Sequence, residues 1–421
     1  MIKSKTVILV TLLFFAAGVP SARAEEVLTW EDCIKEAARN HPDLIAASEA
    51  VKETEAAKKI SASGEYPQVD AAVSGSTSKT AGKSSVDSYS TSLTGTQLVF
   101  DGKKTINDVK AAGENIQAAK YSFRYTSSGV RQALRTAFVN LLKAQEMIRI
   151  TQEIYEIRRG NLELITLRYE SGLEHKGALL TAEANLAQAQ YNINAAVYDL
   201  QVCRRNLIKE LGRDKWAELK VNADFTVKST ALEQVDLEAL AERNPQVLKL
   251  VAQKNAAEFN LRSVYGNYAP SVSVNASAGK SGTTFLPQTT AKSVGFSLSM
   301  PIFEGGLRAA QVAQAEASLN QIKENIRSAQ DSVIATLEQY RASLLEAIDN
   351  VEVQKKSLLA TEERSKISEA QYSIGTITFD SWTIIEDNLV SAKRSYLNAQ
   401  AEALLAEANW IMAKGETLEY E

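Results

Sequence analysis

The chain has 421 residues, of which 23% are charged and 45% hydrophobic, and its net charge near neutral pH is −4. That mildly acidic balance, with no basic clusters, excludes a nucleic-acid partner, which would need Lys and Arg gathered on one face. Two histidines and two cysteines leave little material for metal or thiol chemistry.

Taken in chain order, the first residues read as an export signal. Lys3 and Lys5 open it, an apolar run from Val7 to Val19 broken at Thr11 follows, and Ala22-Arg23-Ala24 has the form of a cleavage site. Residues 1–24 are expected to be removed, because a run of about 13 apolar residues is too short to span a bilayer as a helix. A retained anchor is the alternative. Cleavage leaves 397 residues and removes three positive charges, taking the net charge from −4 to −7. No Cys follows the site, so no lipid anchor is expected there. No later stretch approaches 18 consecutive apolar residues, so no transmembrane helix is expected. Membrane insertion would then require β-strands in a closed barrel.

An internal repeat organises the remainder. Pro42 and Pro245 stand 203 residues apart, as do Pro67 and Pro270, and Gly212 and Gly415. The same offset relates Phe100-Asp101-Gly102 to Phe303-Glu304-Gly305, Tyr169 and Gly172 to Tyr372 and Gly375, and Glu183, Asn185 and Leu186 to Glu386, Asn388 and Leu389. Two similar but separate domains would leave the same trace.

Each half follows one order of elements. In the first, a short helix over Leu28–Asn40 stops at Pro42, and a second runs from Pro42 to Gly64. The period then changes from helical to alternating. Val294, Phe296, Leu298, Met300 and Ile302 fall on one face of a strand over Ser293–Ile302, with Ser293, Gly295, Ser297 and Ser299 on the other. Ser271–Gly279 alternates likewise, Gln68–Ser78 more weakly, and Thr91–Phe100 least regularly. Strands of about ten residues suit a tilted transmembrane strand. Tyr66, Tyr89, Phe100, Tyr268, Phe285 and Phe303 lie near strand ends, where an interfacial aromatic girdle or ordinary packing would put them. The hairpins are expected at about 67–100 and 270–303.

Long helices free of proline follow, at about 103–169 and 307–372, each roughly 100 Å long at 1.5 Å per residue. The second carries a seam through Leu319, Ile322, Ile326, Ala329, Val333, Leu337, Tyr340, Leu344, Ile348 and Val351, in steps of three and four. Turns follow at Glu170–Gly177 and Ser373–Asp380, then return helices at about 179–211 and 382–414. Cys33 and Cys203 fall in helices; two isolated small hydrophobes is the simpler reading, and a disulfide the alternative.

Four strands cannot close a barrel, and an open sheet leaves unpaired edges that lipid does not tolerate. The chain is therefore expected to contribute strands to a cyclic oligomer. Two copies give eight strands and three give twelve; a face of Ser and Gly suits a wet pore and favours three.

No phosphate loop, nucleophile elbow or metal-ligand spacing occurs, so neither an enzyme nor a cofactor is expected and any energy source must belong to a partner. His41 reads as a helix-end residue and His175 as a solvated turn residue. In a cyclic oligomer the turns form rings, so Glu170, Glu174, Tyr372 and Asp380 are candidates for a tip constriction that attracts cations. The simpler alternatives are solvated glutamates and an Asp380 N-cap for a helix starting at Ser381. A general porin and a periplasmic coiled-coil adaptor or scaffold are the other classes. Helices of roughly 100 Å argue against the first, and the alternating face from Val294 to Ile302 against the second.

The sequence resembles the TolC-type outer-membrane efflux protein family. The resemblance rests on Leu28-Thr29-Trp30-Glu31-Asp32 leading to Asn40-His41-Pro42-Asp43-Leu44, the Phe100-Asp101-Gly102 and Phe303-Glu304-Gly305-Gly306 corners, Arg168-Tyr169 with Gly172-Leu173, and Tyr372-Ser373-Ile374-Gly375-Thr376. It implies a mainly α fold with membrane β: a homotrimer with a twelve-stranded β-barrel continued by a helical barrel through the periplasm, girdled by small helices. Residues 25–212 and 236–421 would be the two structural repeats, with 213–235 a linker in the equatorial region. The implied setting is the outer membrane of a Gram-negative bacterium, with its lipid around the barrel. The implied partners are a periplasmic adaptor (a membrane fusion protein) and an inner-membrane RND-type pump or ABC transporter, for efflux or type I secretion. Adaptor docking would fall at Gly172-Leu173 and Gly375-Thr376. One departure concerns the closed tip. The family's best-known member uses an aspartate six residues after the first turn glycine and an arginine two after the second; here those positions are Ala178 and Ile377, with Ser381 the repeat equivalent of Ala178.

Overall fold

The computed structural model describes residues 26–82, 84–227 and 235–418. The expected signal peptide lies outside them, as do part of the expected linker (228–234) and the last three residues.

The repeat is expressed element by element. The first half runs β1 (Glu26–Leu28), α1 (Trp30–Asn40), α2 (Pro42–Ala62), β2 (Gln68–Ser78), β3 (Val86–Phe100), α3 (Lys104–Glu170) and α4 (Lys176–Glu210). The second runs β4 (Leu219–Val221), α5 (Leu237–Arg243), α6 (Pro245–Gly266), β5 (Ser271–Gly282), β6 (Thr289–Ser299), α7 (Leu307–Ser373) and α8 (Phe379–Ala413). The α3 and α7 helices have 67 residues each, and α4 and α8 have 35 each.

Five expectations are corrected. The return helices begin three residues early, because His175 and Thr378 cap them rather than residues nearer Gly177 and Asp380. His175 Nδ1 accepts from the Ala178 N–H at 3.1 Å, and Thr378 Oγ1 from the Ser381 N–H at 3.3 Å. Asp380 is thus not the N-cap; it sits in the first turn, where a carboxylate meets the positive helix end. The strand at Thr91 begins earlier, at Val86, opposite Ser78. The strand expected to reach Ile302 stops at Ser299, short of Pro301, which has no N–H to donate. Met300 and Ile302 therefore lie beyond the strand. Finally, the expected linker holds β4, which pairs in parallel with β1.

Helix ends carry the punctuation of the sequence. Asn244, the repeat partner of His41, caps α6 through a bond from the Gln246 N–H, and His41 caps α2 through one from the Asp43 N–H. Both caps precede a proline at the first helical position, where its missing N–H costs nothing. α3, α4, α7 and α8 all end on left-handed glycines, Gly172, Gly212, Gly375 and Gly415. At Gly212 the need is steric as well, since a side chain would strike the Asn40 carbonyl at the α1–α2 joint.

The helices pack in two tiers. Near the sheet, α2 and α6 flank α3, and α7 lies on α6; below, α4 and α8 flank α3, and α7 lies on α8. The main hydrophobic core sits where the tiers meet, around Cys33, Leu134, Phe138, Leu141, Leu207, Ile208 and Leu219. Trp30 meets Phe138 edge-on at 5.7 Å, and Arg135 stacks on Trp30 at 4.9 Å. Arg213 ties β1 to α1 beside this core by binding Glu26 and Glu36 together, which holds the Glu26 carboxyl below its ordinary value. Both cysteines are buried and free; burial pushes the Cys33 thiol up to about 12 and the Cys203 thiol up to about 11.

Candidate functional site: a two-faced sheet and a helical tip

The strands form one antiparallel sheet in the order β2-β3-β5-β6. Its register sorts side chains by chemistry. One face carries the rungs Asp70–Thr94–Ser277–Ser293 and Ser74–Ser90–Ser281–Thr289. Hydroxyls on this face bond across strands: Ser74 to Ser90 at 2.8 Å, Ser273 to Ser297 at 2.7 Å and Ser277 to Ser293 at 2.8 Å. The other face carries Val69–Gly95–Ala276–Val294, with Val274 opposite Phe296 and Val272 opposite Leu298. Val294 and Phe296 are 81% and 79% exposed in the single chain, and Leu298, Met300 and Ile302 are exposed too. Such an apolar face needs a non-aqueous surrounding. The outer strands β2 and β6 each have one unpaired edge.

At the far end of the helices, the two turns close by the same device. The Leu173 N–H bonds the Arg168 carbonyl at 2.8 Å, and the Thr376 N–H bonds the Gln371 carbonyl at 2.9 Å, each spanning a left-handed glycine. Gly172, Leu173, Gly375 and Thr376, the candidate docking residues, are all exposed.

The four candidate constriction residues divide. Glu170 and Asp380 are exposed. Glu174 and Tyr372 come together, the Tyr372 hydroxyl donating to Glu174 Oε2 at 2.8 Å. Burial and this carboxylate push the Tyr372 hydroxyl above its ordinary value, so it remains the donor at any physiological pH. Its ring stacks on Trp382 at 4.5 Å and meets Phe379 edge-on at 6.4 Å. Arg168 lies over its other face at 4.8 Å, and Arg168 Nη1 donates to the Tyr372 and Ser373 carbonyls at 3.3 Å each.

This packing explains the departure at the family's latch positions. Ala178 is fully buried beside Tyr372 and Trp382, where a carboxylate would be desolvated, and Ile377 packs on the same cluster. Sequence reasoning missed Arg168, Phe379 and Trp382 as members of this cluster. The signal for Trp382 was an aromatic on the first turns of a helix that follows a turn. Sequence reasoning also missed the ties between α3 and α8, where Arg158 binds Asp387 at 2.6 Å and Lys393 binds Glu153. Among the described residues no group of three or more His, Cys, Asp or Glu is placed to hold a metal ion.

An antiparallel sheet with one hydroxyl and one apolar face, standing on helices of 67 residues, defines an outer-membrane channel that continues into a helical duct. The chain belongs to the family described as outer membrane efflux protein, whose family model matches residues 33–213 and 237–416. It is similar to the outer membrane protein TolC of Escherichia coli (strain K12), 27% identical over 351 residues that cover 77% of this chain and 69% of that one. The outer membrane efflux protein BepC of Brucella suis biovar 1 (strain 1330) is 23% identical over 94% of this chain and 86% of its own. Among solved structures, CusC shares the fold with a TM-score of 0.81 at 19% identity, covering 91% of each chain. The protein is thus an outer-membrane channel of the TolC type for efflux or secretion, with its helical part in the periplasm. Such channels are homotrimers that work with periplasmic adaptors and inner-membrane pumps.

Tyr372→Phe removes the bond to Glu174 while keeping the ring. A hydrogen bond to a charged group contributes about 1.5–3 kcal/mol, so amides of the α7–α8 turn should exchange on the order of 10- to 100-fold faster, with α3 near Phe138 unchanged. Hydrogen-exchange mass spectrometry checks this, and equal protection of the turn in both proteins would show the bond to be inconsequential.

Proposed function

We propose that the chain is a passive duct with no catalytic activity, in which the apolar sheet face meets lipid, the hydroxyl face lines the water-filled lumen, and the tip cluster holds the periplasmic end narrow. The observation that carries the duct is the two-faced sheet: Val294, Phe296 and Leu298 lie on one side and Ser293, Ser297 and Ser299 on the other. Polar and apolar side chains alternating across four strands have no use in a soluble sheet exposed on both faces. They are what a wall between lipid and water requires. Energy and cargo choice are left to partners, in keeping with a family of transport channels.

The tip reading is supported by the cluster. The Tyr372–Trp382 stack and the Tyr372–Glu174 bond tie α7, α8 and the first turn together. The buried Trp382 indole Nε1 has no acceptor among the described residues of the single chain. Gly172-Leu173 and Gly375-Thr376, exposed in the turns beside the cluster, are the docking surface for an adaptor, where a bound hairpin would bear on the helices that the cluster joins. Glu170 and Asp380 then supply the exposed charge of the mouth and favour cations.

The wall is tested by two arginines. Arg on the lipid side at mid-bilayer costs about 2–4 kcal/mol. Leu298→Arg should therefore lower the assembled protein recovered from outer membranes, while Ser297→Arg assembles and conducts less. Equal recovery of both would overturn the assignment of faces. The tip is tested in planar bilayers. Glu174→Gln and Tyr372→Phe should raise single-channel conductance, whereas Asp380→Asn with Glu170→Gln should lower cation preference at unchanged conductance state. Should the second pair widen the pore and the first leave it as it was, the roles given to these residues are wrong.

A further inference from the structure

The repeat offset of 203 residues applies to strand register as well as to motifs. Gln68 faces Thr96 in the first hairpin and Ser271 faces Ser299 in the second; Ser78 faces Val86, and Ser281 faces Thr289. Each pair is the other moved by 203. The hairpins are therefore equivalent units, and the β3–β5 contact within one chain shows how one unit pairs with the next. The edges of the sheet, β6 and β2, are the repeat equivalents of β3 and β5. Moving Thr94 opposite Ser277 by the offset gives Ser297 opposite Ser74; Leu93 opposite Ala278 gives Phe296 opposite Gly75; Gly95 opposite Ala276 gives Leu298 opposite Val73.

We propose that β6 of one copy pairs with β2 of a second copy in the register that sets Ser297 against Ser74, Phe296 against Gly75 and Leu298 against Val73. This rests on the closed-barrel reading and adds the residue-level seam. Three features of the single chain fit it. First, hydroxyl meets hydroxyl and apolar meets apolar, with Leu298 and Val73 (63% and 83% exposed) covering each other. Second, Gly75 lies against the Tyr89 ring on its paired side, where an added Cβ would be 3.1 Å from a ring carbon. Its other side faces the free edge, and Phe296, 79% exposed, lies opposite it across the seam. An aromatic laid over a strand glycine from each side restores the packing that the glycine lacks. Third, Gly102, left-handed at the β3–α3 corner, has no room for a side chain because the Gly266 carbonyl of α6 presses on it. Its equivalent Gly305 is also left-handed and has only open space around it in the single chain. The seam brings Ser63 of the second copy, the equivalent of Gly266, to that space.

Disulfide scanning in native outer membranes tests the register. Ser74→Cys/Ser297→Cys in the full chain, oxidised with copper phenanthroline, should give covalent dimers and trimers on a non-reducing gel. Directly opposed Cβ atoms lie about 4.5–5.5 Å apart, whereas diagonal ones lie about 7–8 Å apart. Ala72→Cys/Ser297→Cys and Ser76→Cys/Ser297→Cys should therefore cross-link at least about fivefold less, since a disulfide needs Cβ atoms within about 4.5 Å. Thr94→Cys/Ser277→Cys, the equivalent pair inside one chain, is the positive control for oxidation at that rung. The buried native thiols stay silent, their ordinary values raised to about 12 and about 11. Stronger cross-linking at Ala72 or Ser76 would overturn the register, as would no cross-link from Ser74 while the control oxidises. Loss of the trimer from the unmodified protein would instead overturn the closed barrel.

Discussion

Every backbone N–H and C=O inside a bilayer must find a partner in the protein, because lipid offers none. A sheet in the order β2-β3-β5-β6 meets that demand everywhere except along its two outer edges. Those edges are the constraint from which the rest of the assembly follows. An even number of antiparallel strands per chain lets copies join head to tail without reversing a strand, so a ring of chains closes one continuous barrel. The face chemistry then needs no further rule. Along most of the register, Ser lies on one face and Val, Phe and Leu on the other, with Thr91, Gln97 and Leu98 of β3 as exceptions.

The helices inherit this geometry. The corner at Asp101 turns each strand into a helix, the Asp101 carboxylate accepting from the Thr105 N–H at 2.8 Å, with a Glu304–Arg308 pair at the second corner. The chain therefore arrives at the helical tiers with α2, α3, α6 and α7 in the same lateral order as the strands above them. Length does the rest, since 67 residues without a proline reach from the sheet to the tip. The joints His41–Pro42 and Asn244–Pro245 let a short helix end and another begin against the long one. The largest hydrophobic cluster lies at that level, around Leu134, Phe138 and Leu207.

Much of this was legible in the sequence because it is written in periods. The 203-residue offset, the alternation from Ser293 onward and the two proline-free helices are properties of spacing, and the structure reproduces them to within a few residues. The misses are matters of local competition or of distant contact. Asp380 and Thr378 are both able to cap α8, and only the backbone decides that Thr378 does so while Asp380 falls in the first turn. Pro301 stops β6 before the apolar alternation of the sequence runs out. The β1–β4 pair is three residues on each side, below what periodicity can report. The tip was half legible. Glu174 and Tyr372 both stood out as turn residues, yet 198 positions separate them, and nothing local tells that one accepts from the other. Ala178 and Ile377 looked like losses relative to a polar latch; they are the small and apolar positions that an aromatic cluster needs around Trp382.

The central claim is that one chain cannot complete its own membrane wall. Native mass spectrometry of the protein extracted from outer membranes in mild detergent addresses it most directly. Three copies of the mature chain in one stable particle is the result this account predicts. A monodisperse monomer that still spans the membrane would contradict it, because four strands with two open edges would then have been shown to satisfy their backbone alone.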